Sequence, residues 1–436
     1  MNYFYLEILL FILLLISLLF HMNPNMISVF IFVLSLILIK YYNILEVYNS
    51  WEIVTKGFCV VIGLVILTNF EKKELESLSV LIISIILATT MMISCVNTLS
   101  IYVCLELQSL SLFVLLSRKR NAVKSIEAAL KYFVLSSLSS GIYLLGSALL
   151  FLSSGTCDIQ ILSDSCMTIE KTLIICALLF KLACAPFHVW APEVYYGCDA
   201  KSLITIGTLP KIGVISVLIH MTPNASFILV VAILSLVIGS VGALNHTKIN
   251  KILAYSGILN MGFILIGIAG NSHNSLESCV IYLTYYIISF LLILMLINNF
   301  SINSLDKLVA FSTKNVTISI TFGFLVLSIA GIPPFGGFFA KWLILNSAVN
   351  LDLIVTVIVA VFCTVIAGVY YLRMIKISNF QEDRSYLTWK KILLKENMRY
   401  KSNNITSSVL FFLIFFIIFC PHLIKEIAHI SIISIS

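Results

Sequence analysis

The chain has 436 residues, 60% of them hydrophobic and only 11% charged, with a net charge of +7. A soluble domain carries roughly 25% charged residues, so the composition excludes a soluble enzyme and indicates a polytopic membrane protein. The basic excess is no nucleic-acid footprint, because it is spread over short loops between apolar runs, where lysine and arginine set membrane orientation.

Apolar runs near the spanning length of about 20 residues recur from end to end and predict about fourteen transmembrane helices. They fall near 3–20, 26–42, 54–69, 77–95, 97–117, 125–153, 170–190, 200–222, 225–243, 250–270, 276–299, 315–347, 353–376 and 407–426. The sixth and twelfth runs exceed one span, and tilt or a break as at Pro333–Pro334 would absorb the excess. The first run has no basic n-region and no small-residue cleavage site, so it is expected to be a retained span and no Arg-rich import leader. Loops after odd-numbered spans carry most of the basic residues, such as Arg118, Lys119, Arg120 and Lys124 after the fifth, whereas one even-numbered loop carries Asp158, Asp164 and Glu170. The positive-inside rule then puts the odd-to-even loops on the matrix or cytoplasmic side and both termini on the other. The eleven cysteines are scattered singly through apolar segments and read as small buried hydrophobes. Cys157 and Cys166 share a polar loop and are expected to stay free thiols rather than pair.

A charged side chain at mid-bilayer costs about 2.5–3.5 kcal/mol on insertion scales, and such residues default to function. In the fifth span Glu106 is central, with Tyr102 and Ser109 on its face by helical spacing. The alternative for it is a fixed structural ion pair. In the sixth, Glu127 and Lys131 stand four apart in the favourable order, either as a relay part or as an interfacial pair. The seventh holds CALLFKLACAPFHVWAPEVYYG (176–197), with Lys181 in its middle, then Pro186, His188 and Pro192. Each proline removes a backbone donor and crowds the carbonyl four residues back; beside a lysine, this is the pattern of an ion site in a broken helix. His188 reads as a proton-relay group or as a cap on freed carbonyls. In the eighth, Lys211 follows Pro210, which frees the Ile206 carbonyl, with Thr205 and Thr208 nearby as local partners. A desolvated lysine is able to exchange protons near neutrality; snorkelling is the competing account for it. In the tenth, Ser256 and Asn260 lie one turn apart and could hold a water chain, or simply bond helix to helix. In the twelfth, Gly331, Pro333, Pro334, Gly336 and Gly337 preclude a regular helix, and Lys341 follows about two turns on as the end of an internal polar path or an interfacial lysine.

The two breaks echo one another. ACAPF at 183–187 matches GIPPF at 331–335, 148 residues on and five spans later. An odd offset reverses orientation, so the halves are expected to be an inverted repeat, a transporter signature. No G-x-G-x-x-G follows a strand, there is no P-loop, and no Cys or His cluster suits an iron–sulfur centre or haem. The residues alone describe an ion-conducting subunit with a Glu–Lys–Lys–Lys series. Because an ammonium has no lone pair until it deprotonates, the ion is expected to be H⁺.

The motifs CLELQSLSLFVLL (104–116), SIEAALKYFVLSS (125–137), LLFKLACAPFHVWAPEVYYG (178–197), TLPKIGVI (208–215), INKILAYSGILNMGFILIGI (249–268) and GIPPFGGFFAKWLIL (331–345) run across spans five to twelve. As a set they resemble the antiporter-like proton-pumping subunits of respiratory NADH:quinone oxidoreductase, in the subunit 2 family that bacteria call subunit N. The resemblance implies an all-α protein of fourteen helices in two inverted five-helix repeats, with helices seven and twelve broken. On it the chain divides into a three-helix extension (1–76), a first repeat (77–222), a second repeat (223–376) and a polar loop with a final helix (377–436). It implies that Glu106 is the span-five glutamate, Lys181 its partner, Lys211 the central lysine and Lys341 the exit lysine, with Glu127, Lys131 and His188 at further polar positions. Asn260 stands where the family usually has histidine, so a water-holding role is expected there in place of a titrating one, and Glu193 stands where aspartate is common.

The expected function is proton translocation driven by redox energy from other subunits, within NADH:ubiquinone reductase. The alternative is a cation/proton antiporter subunit of a multisubunit exchanger; a third reading is a scaffold that only fills the membrane arm. No redox active site, cofactor or metal is expected on this chain. FMN, iron–sulfur clusters and ubiquinone are expected on partner subunits of the membrane-bound enzyme, and phospholipids around the chain, with no nucleic acid. The Ile-, Asn-, Phe- and Tyr-rich usage points to an AT-rich genome and hence to a mitochondrial inner membrane, with a bacterial plasma membrane as the alternative.

Overall fold

The structure, a computed structural model, describes residues 50–68, 72–119, 121–159, 169–221, 223–300, 304–305, 308, 316–380 and 421–433. Peptide groups inside hydrocarbon have no water to bond, so a spanning chain must satisfy them within helices or a closed barrel. Throughout the described residues this chain takes the helical route. The first half comprises α1 (Ser50–Thr68), α2 (Lys72–Ser94), α3 (Thr98–Leu116), α4 (Val123–Ser154), α5 (Ile169–Leu182), α6 (Trp190–Gly197) and α7 (Ala200–His220). Then come α8 (Ala225–Gly242), α9 (Ile249–Gly270), α10 (His273–Phe300), α11 (Val316–Ala330), α12 (Gly336–Asn350), α13 (Ile354–Ile375) and α14 (Pro421–Ile433). A π-helical segment, Lys376–Phe380, continues α13. Among the described residues, seven helices are long and apolar enough to cross a membrane, and β-structure is limited to two isolated bridges.

The predicted spans map onto these elements closely. The seventh divides into α5 and α6, and the twelfth into α11 and α12. The sixth stays whole: α4 is a 32-residue helix, about 48 Å long at 1.5 Å per residue, so it outreaches the hydrocarbon core. It holds no proline, and nothing else in it breaks the ladder. The spans near 3–20 and 26–42, residues 407–420 of the last span, and Cys166 lie outside the described residues.

Both helix breaks close in the same way. At the end of α5, Ala183 turns left-handed (φ 59°), its N–H donates to Phe180 O, and the Cys184 N–H reaches back to Leu179 O. At the end of α11, Gly331 is left-handed (φ 82°), its N–H donates to Ser328 O, and the Ile332 N–H reaches back to Leu327 O. These are two Schellman closures, which satisfy carbonyls that a helix end otherwise leaves bare. The two positions lie 148 residues apart, as the sequence echo predicts. The loops repeat as well. Ile159 N–H donates to Val96 O beside the Asn97–Asp158 bridge, and Leu305 N–H donates to Thr247 O beside the Lys248–Ser304 bridge.

Burial is graded across the bundle. Every residue of α7 from Lys201 to Ile219 is buried, and α9 is buried from Ile252 to Ala269 save Tyr255. By contrast, α3, α4, α8 and α13 each bury one face and expose leucine, valine or phenylalanine on the other. The central helices therefore have no lipid-facing side, and any polar group they carry is enclosed by protein. The serines of α4 need no partner helix, because Ser136, Ser139 and Ser140 donate to carbonyls three residues back.

Candidate functional site

Lys181 occupies the last turn of the half-helix α5, so the first break comes directly after it. A cation near a helix C-terminus meets the negative end of the macrodipole. Its Nζ is buried and closes no hydrogen bond among the described residues. Glu106 acts on it electrostatically but forms no salt bridge with it. The Glu106 carboxylate instead accepts from Ser109 Oγ at 3.2 Å, on the face that helical spacing predicts. A small cavity with room for about one water opens beside the lysine, lined by Gln108, Tyr132, Ser136, Trp190 and Pro210 among others. Gln108 Nε2 is likewise buried without a hydrogen-bond partner among the described residues. A polar cavity of this size suits a bridging water between such groups.

Lys211 lies on the fully buried α7. Its ammonium donates to the Tyr286 hydroxyl at 2.8 Å and sits 4.8 Å over the Tyr286 ring and 5.7 Å over that of Phe290. Cys184, in the first break, lies within electrostatic reach of it. Neither nearby threonine takes up the Ile206 carbonyl that Pro210 frees: Thr205 donates to Ser202 O and Thr208 to Ile204 O. Ile206 itself lines the Lys181 cavity, as does Pro210, the residue before Lys211.

Lys341 is held by the second break. Its Nζ donates to Ile329 O at 3.0 Å and to Ala330 O at 2.9 Å, the bare carbonyls at the end of α11. Here a half-helix C-terminus replaces the water shell of an ammonium. In the first break the Phe180 carbonyl, the counterpart of Ser328 O, accepts from the Trp190 indole at 3.0 Å. Gly331 permits the contact: a Cβ there would stand 2.8 Å from Lys341 Cδ. Close helix approach does the rest, because α12 meets α11 at Gly337, where a Cβ would lie 1.8 Å from Ser328 O.

The remaining residues singled out by sequence divide into two groups. Ser256 donates to Leu253 O at 2.9 Å within its own helix, and Asn260 Oδ1 accepts from the Tyr282 hydroxyl at 2.9 Å. Both are buried on α9, whose Phe263 ring lies 5.5 Å from the Lys341 ammonium. His188 lies in the first break, after the cis Ala185–Pro186 bond, as Lys341 lies beyond the cis Pro333–Pro334 bond. Its Nδ1 is buried and closes no well-formed hydrogen bond among the described residues, with backbone at Pro186 within reach. Glu127 and Lys131 do pair, at 2.8 Å, but on the exposed outer face of α4, where Glu193 of α6 joins them at 2.5 Å. That triad is separate from the buried line of lysines.

Sequence reasoning passed over several polar groups. Glu193 entered it only as a position where aspartate is common, because its partner Lys131 lies 62 residues away. The buried lysines Lys56, Lys171 and Lys201 sit near helix ends and carry no break signal. The tyrosines Tyr282, Tyr285 and Tyr286 of α10 and Tyr370 and Tyr371 of α13 are all buried, and Tyr286 meets Lys211. The spacing of the first three, at i, i+3 and i+4, was the available signal.

Fold and site together define a polytopic membrane protein of the broken-helix transporter type, with buried ammonium groups at its breaks. Residues 95–367 match the family described as NADH:quinone oxidoreductase/Mrp antiporter, TM, and the chain belongs to that family. It is 39% identical to the NADH-ubiquinone oxidoreductase chain 2 of Metridium senile over 376 residues, which cover 81% of this chain and 96% of that one. It is 33% identical to the NADH-quinone oxidoreductase subunit N of Pelagibacter ubique, over 81% of this chain and 78% of that one. A chain of respiratory complex I from Thermus thermophilus shares its fold with a TM-score of 0.80 at 21% identity, over 98% of this chain and 100% of that one.

Proposed function

We propose that this chain is a proton-translocating membrane-arm subunit of an NADH:quinone oxidoreductase, moving H⁺ along Glu106, Lys181, Lys211 and Lys341. One observation carries the reading. Three lysine ammonium nitrogens, on α5, α7 and α12, are buried with no ion-pair partner among the described residues, and the Glu106 carboxylate acts on the first of them. A buried unpaired charge costs several kcal/mol, so a merely structural role would favour its replacement by an apolar side chain. Carrying a proton needs the group in two states, and a lysine held by neutral dipoles alone is poised between them.

The mechanism follows from the placement. With Glu106 ionised and near, Lys181 is held protonated. When redox energy released on partner subunits moves that carboxylate away or neutralises it, the Lys181 proton loses its stabilisation and passes toward Lys211 through the polar cavity bounded by Pro210. From Lys211 it moves on to Lys341 at the second break. The electron-carrying groups belong to those partner subunits in this reading. The exchanger reading, which the family description also covers, fits less well: ammonium groups repel metal cations and offer them no lone pair.

The paired Schellman breaks and paired loop bridges support two inverted five-helix repeats over 77–222 and 223–376, which take in most of α2 with α3–α7, and α8–α13. The proposed setting is the mitochondrial inner membrane, among other membrane-arm subunits and lipid, with a bacterial plasma membrane as the alternative; the composition favours the first.

A Glu106→Gln variant in the assembled enzyme tests the relay. Electron transfer from NADH to an artificial acceptor should be unchanged, while protons moved per NADH should fall. An unchanged stoichiometry would remove Glu106 from the mechanism.

A further inference from the structure

Between Lys211 and Lys341 no carboxylate or imidazole of the described residues is hydrogen-bonded to either ammonium. Phenol groups fill the space instead. Tyr286 accepts from Lys211 at 2.8 Å. One turn along α10, Tyr282 donates to Asn260 Oδ1 at 2.9 Å. On the same helix Tyr285 is hydrogen-bonded to Ser328, the residue before the Ile329–Ala330 pair of carbonyls that hold Lys341. Tyr371 of α13 interacts electrostatically with Tyr282, Tyr285 and Tyr286, and its hydroxyl lies within reach of Tyr370, Ser256 and Asn260. Its ring packs 4.4 Å from that of Tyr370.

The hydroxyls of Tyr370 and Tyr371 are both fully buried and close no well-formed hydrogen bond among the described residues. Structural phenols in a core are normally satisfied, and an unsatisfied one costs stability, so each such group calls for an explanation. Packing alone does not supply it, because phenylalanine would fill the same space without the polar atom.

We propose that these buried tyrosine hydroxyls, with Ser328, form the proton-conducting segment between Lys211 and Lys341. The proposal rests on the lysine-relay reading above. A phenol is both donor and acceptor, so it passes a proton without holding a charge. The step balances atom by atom. An N–H bond of the Lys211 ammonium breaks as an O–H bond forms on Tyr286, whose own proton leaves to the next oxygen. Hydroxyls that are not in contact are joined by water molecules as the co-reactant. The last O–H bond breaks as an N–H bond forms on the neutral Lys341 amine. Lys211 ends neutral, Lys341 ends charged, and every hydroxyl is left with one proton in reversed orientation. Rotation about each C–O bond restores the chain. Asn260, fixed on Tyr282, acts as the positioning residue that keeps α9 and α10 in register.

The experiment compares Tyr371→Phe and Tyr286→Phe with Lys211→Ala in the assembled membrane enzyme. The readouts are enzyme content, protons moved per NADH, and the H₂O/D₂O ratio of the coupled rate. Tyr371→Phe should assemble as well as the parent, since it removes a hydroxyl without a closed bond and keeps the ring. Its proton stoichiometry should nonetheless fall to the Lys211→Ala level, with an enlarged isotope ratio. If both tyrosine variants move protons like the parent while Lys211→Ala does not, the hydroxyl chain is wrong and the lysine relay stands. If Lys211→Ala is also undiminished, relay and chain fall together. Should Tyr286→Phe assemble poorly, Tyr370→Phe replaces it, since that hydroxyl too has no bond to lose.

Discussion

Replacing Lys211 by alanine is expected to leave the assembled enzyme present and electron transfer intact while proton translocation through this subunit stops. Two effects on stability oppose one another. A large-to-small change in a packed core costs about 2–5 kcal/mol through the cavity it leaves. Removing an ammonium that meets the Tyr286 phenol and two aromatic rings, with no carboxylate bonded to it among the described residues, relieves a desolvation penalty of similar size. Lys211→Met separates the two contributions, because methionine nearly keeps the volume and drops the charge. It should assemble at least as well as the parent and be equally silent in proton movement. Measuring protons per NADH beside enzyme content checks both variants; normal stoichiometry in Lys211→Met would show that charge at this position is dispensable.

Gly337→Ala is expected to do the opposite, abolishing assembly before any question of turnover arises. The added methyl would stand 1.8 Å from the Ser328 carbonyl oxygen and 2.9 Å from the Tyr285 hydroxyl. The first of these is backbone and has no rotamer to retreat to. Helix α12 would have to lift away from α11, pulling Lys341 off the carbonyls of Ile329 and Ala330. Glycines Gly57, Gly141 and Gly368 make the control, since nothing lies within 4 Å of a Cβ built at any of them. Alanine at those helical sites should be tolerated, with a gain of about 0.5–1 kcal/mol in helix stability. Native-gel quantities of assembled enzyme distinguish the two classes, and wild-type assembly of Gly337→Ala would contradict the observed helix approach.

The parts of the site legible in the sequence were those that break a local rule. Lys181 ahead of Pro186, Lys211 after Pro210 and Lys341 after the glycines and prolines of 331–337 each violate what an apolar helix tolerates; the first and third sit at breaks, and Lys211 lies within the unbroken α7. The bundle itself was legible because a spanning helix must be apolar for about 20 residues. What stayed hidden lies within the rules. A tyrosine in an apolar helix resembles any aromatic, so the cluster beside Lys211 showed no anomaly. Glu193 reaches Lys131 only because α6 folds back beside α4, which no spacing within one helix announces. The orientation of Glu127 and Lys131 was ambiguous for a related reason: helical spacing pairs them but does not say whether the pair faces the core or the outside.

The complete enclosure of α7 has a consequence for tolerance to change. Along α8, which turns one side outward, substitutions should be accepted with a rhythm of 3.6 positions, harmless on one side and damaging on the other. No such rhythm should exist from Lys201 to Ile219. In a deep mutational scan of the whole chain, that stretch should read as one uninterrupted band of intolerance, with alanine-sized and bulky replacements rejected alike, since every azimuth around the helix is already occupied by protein.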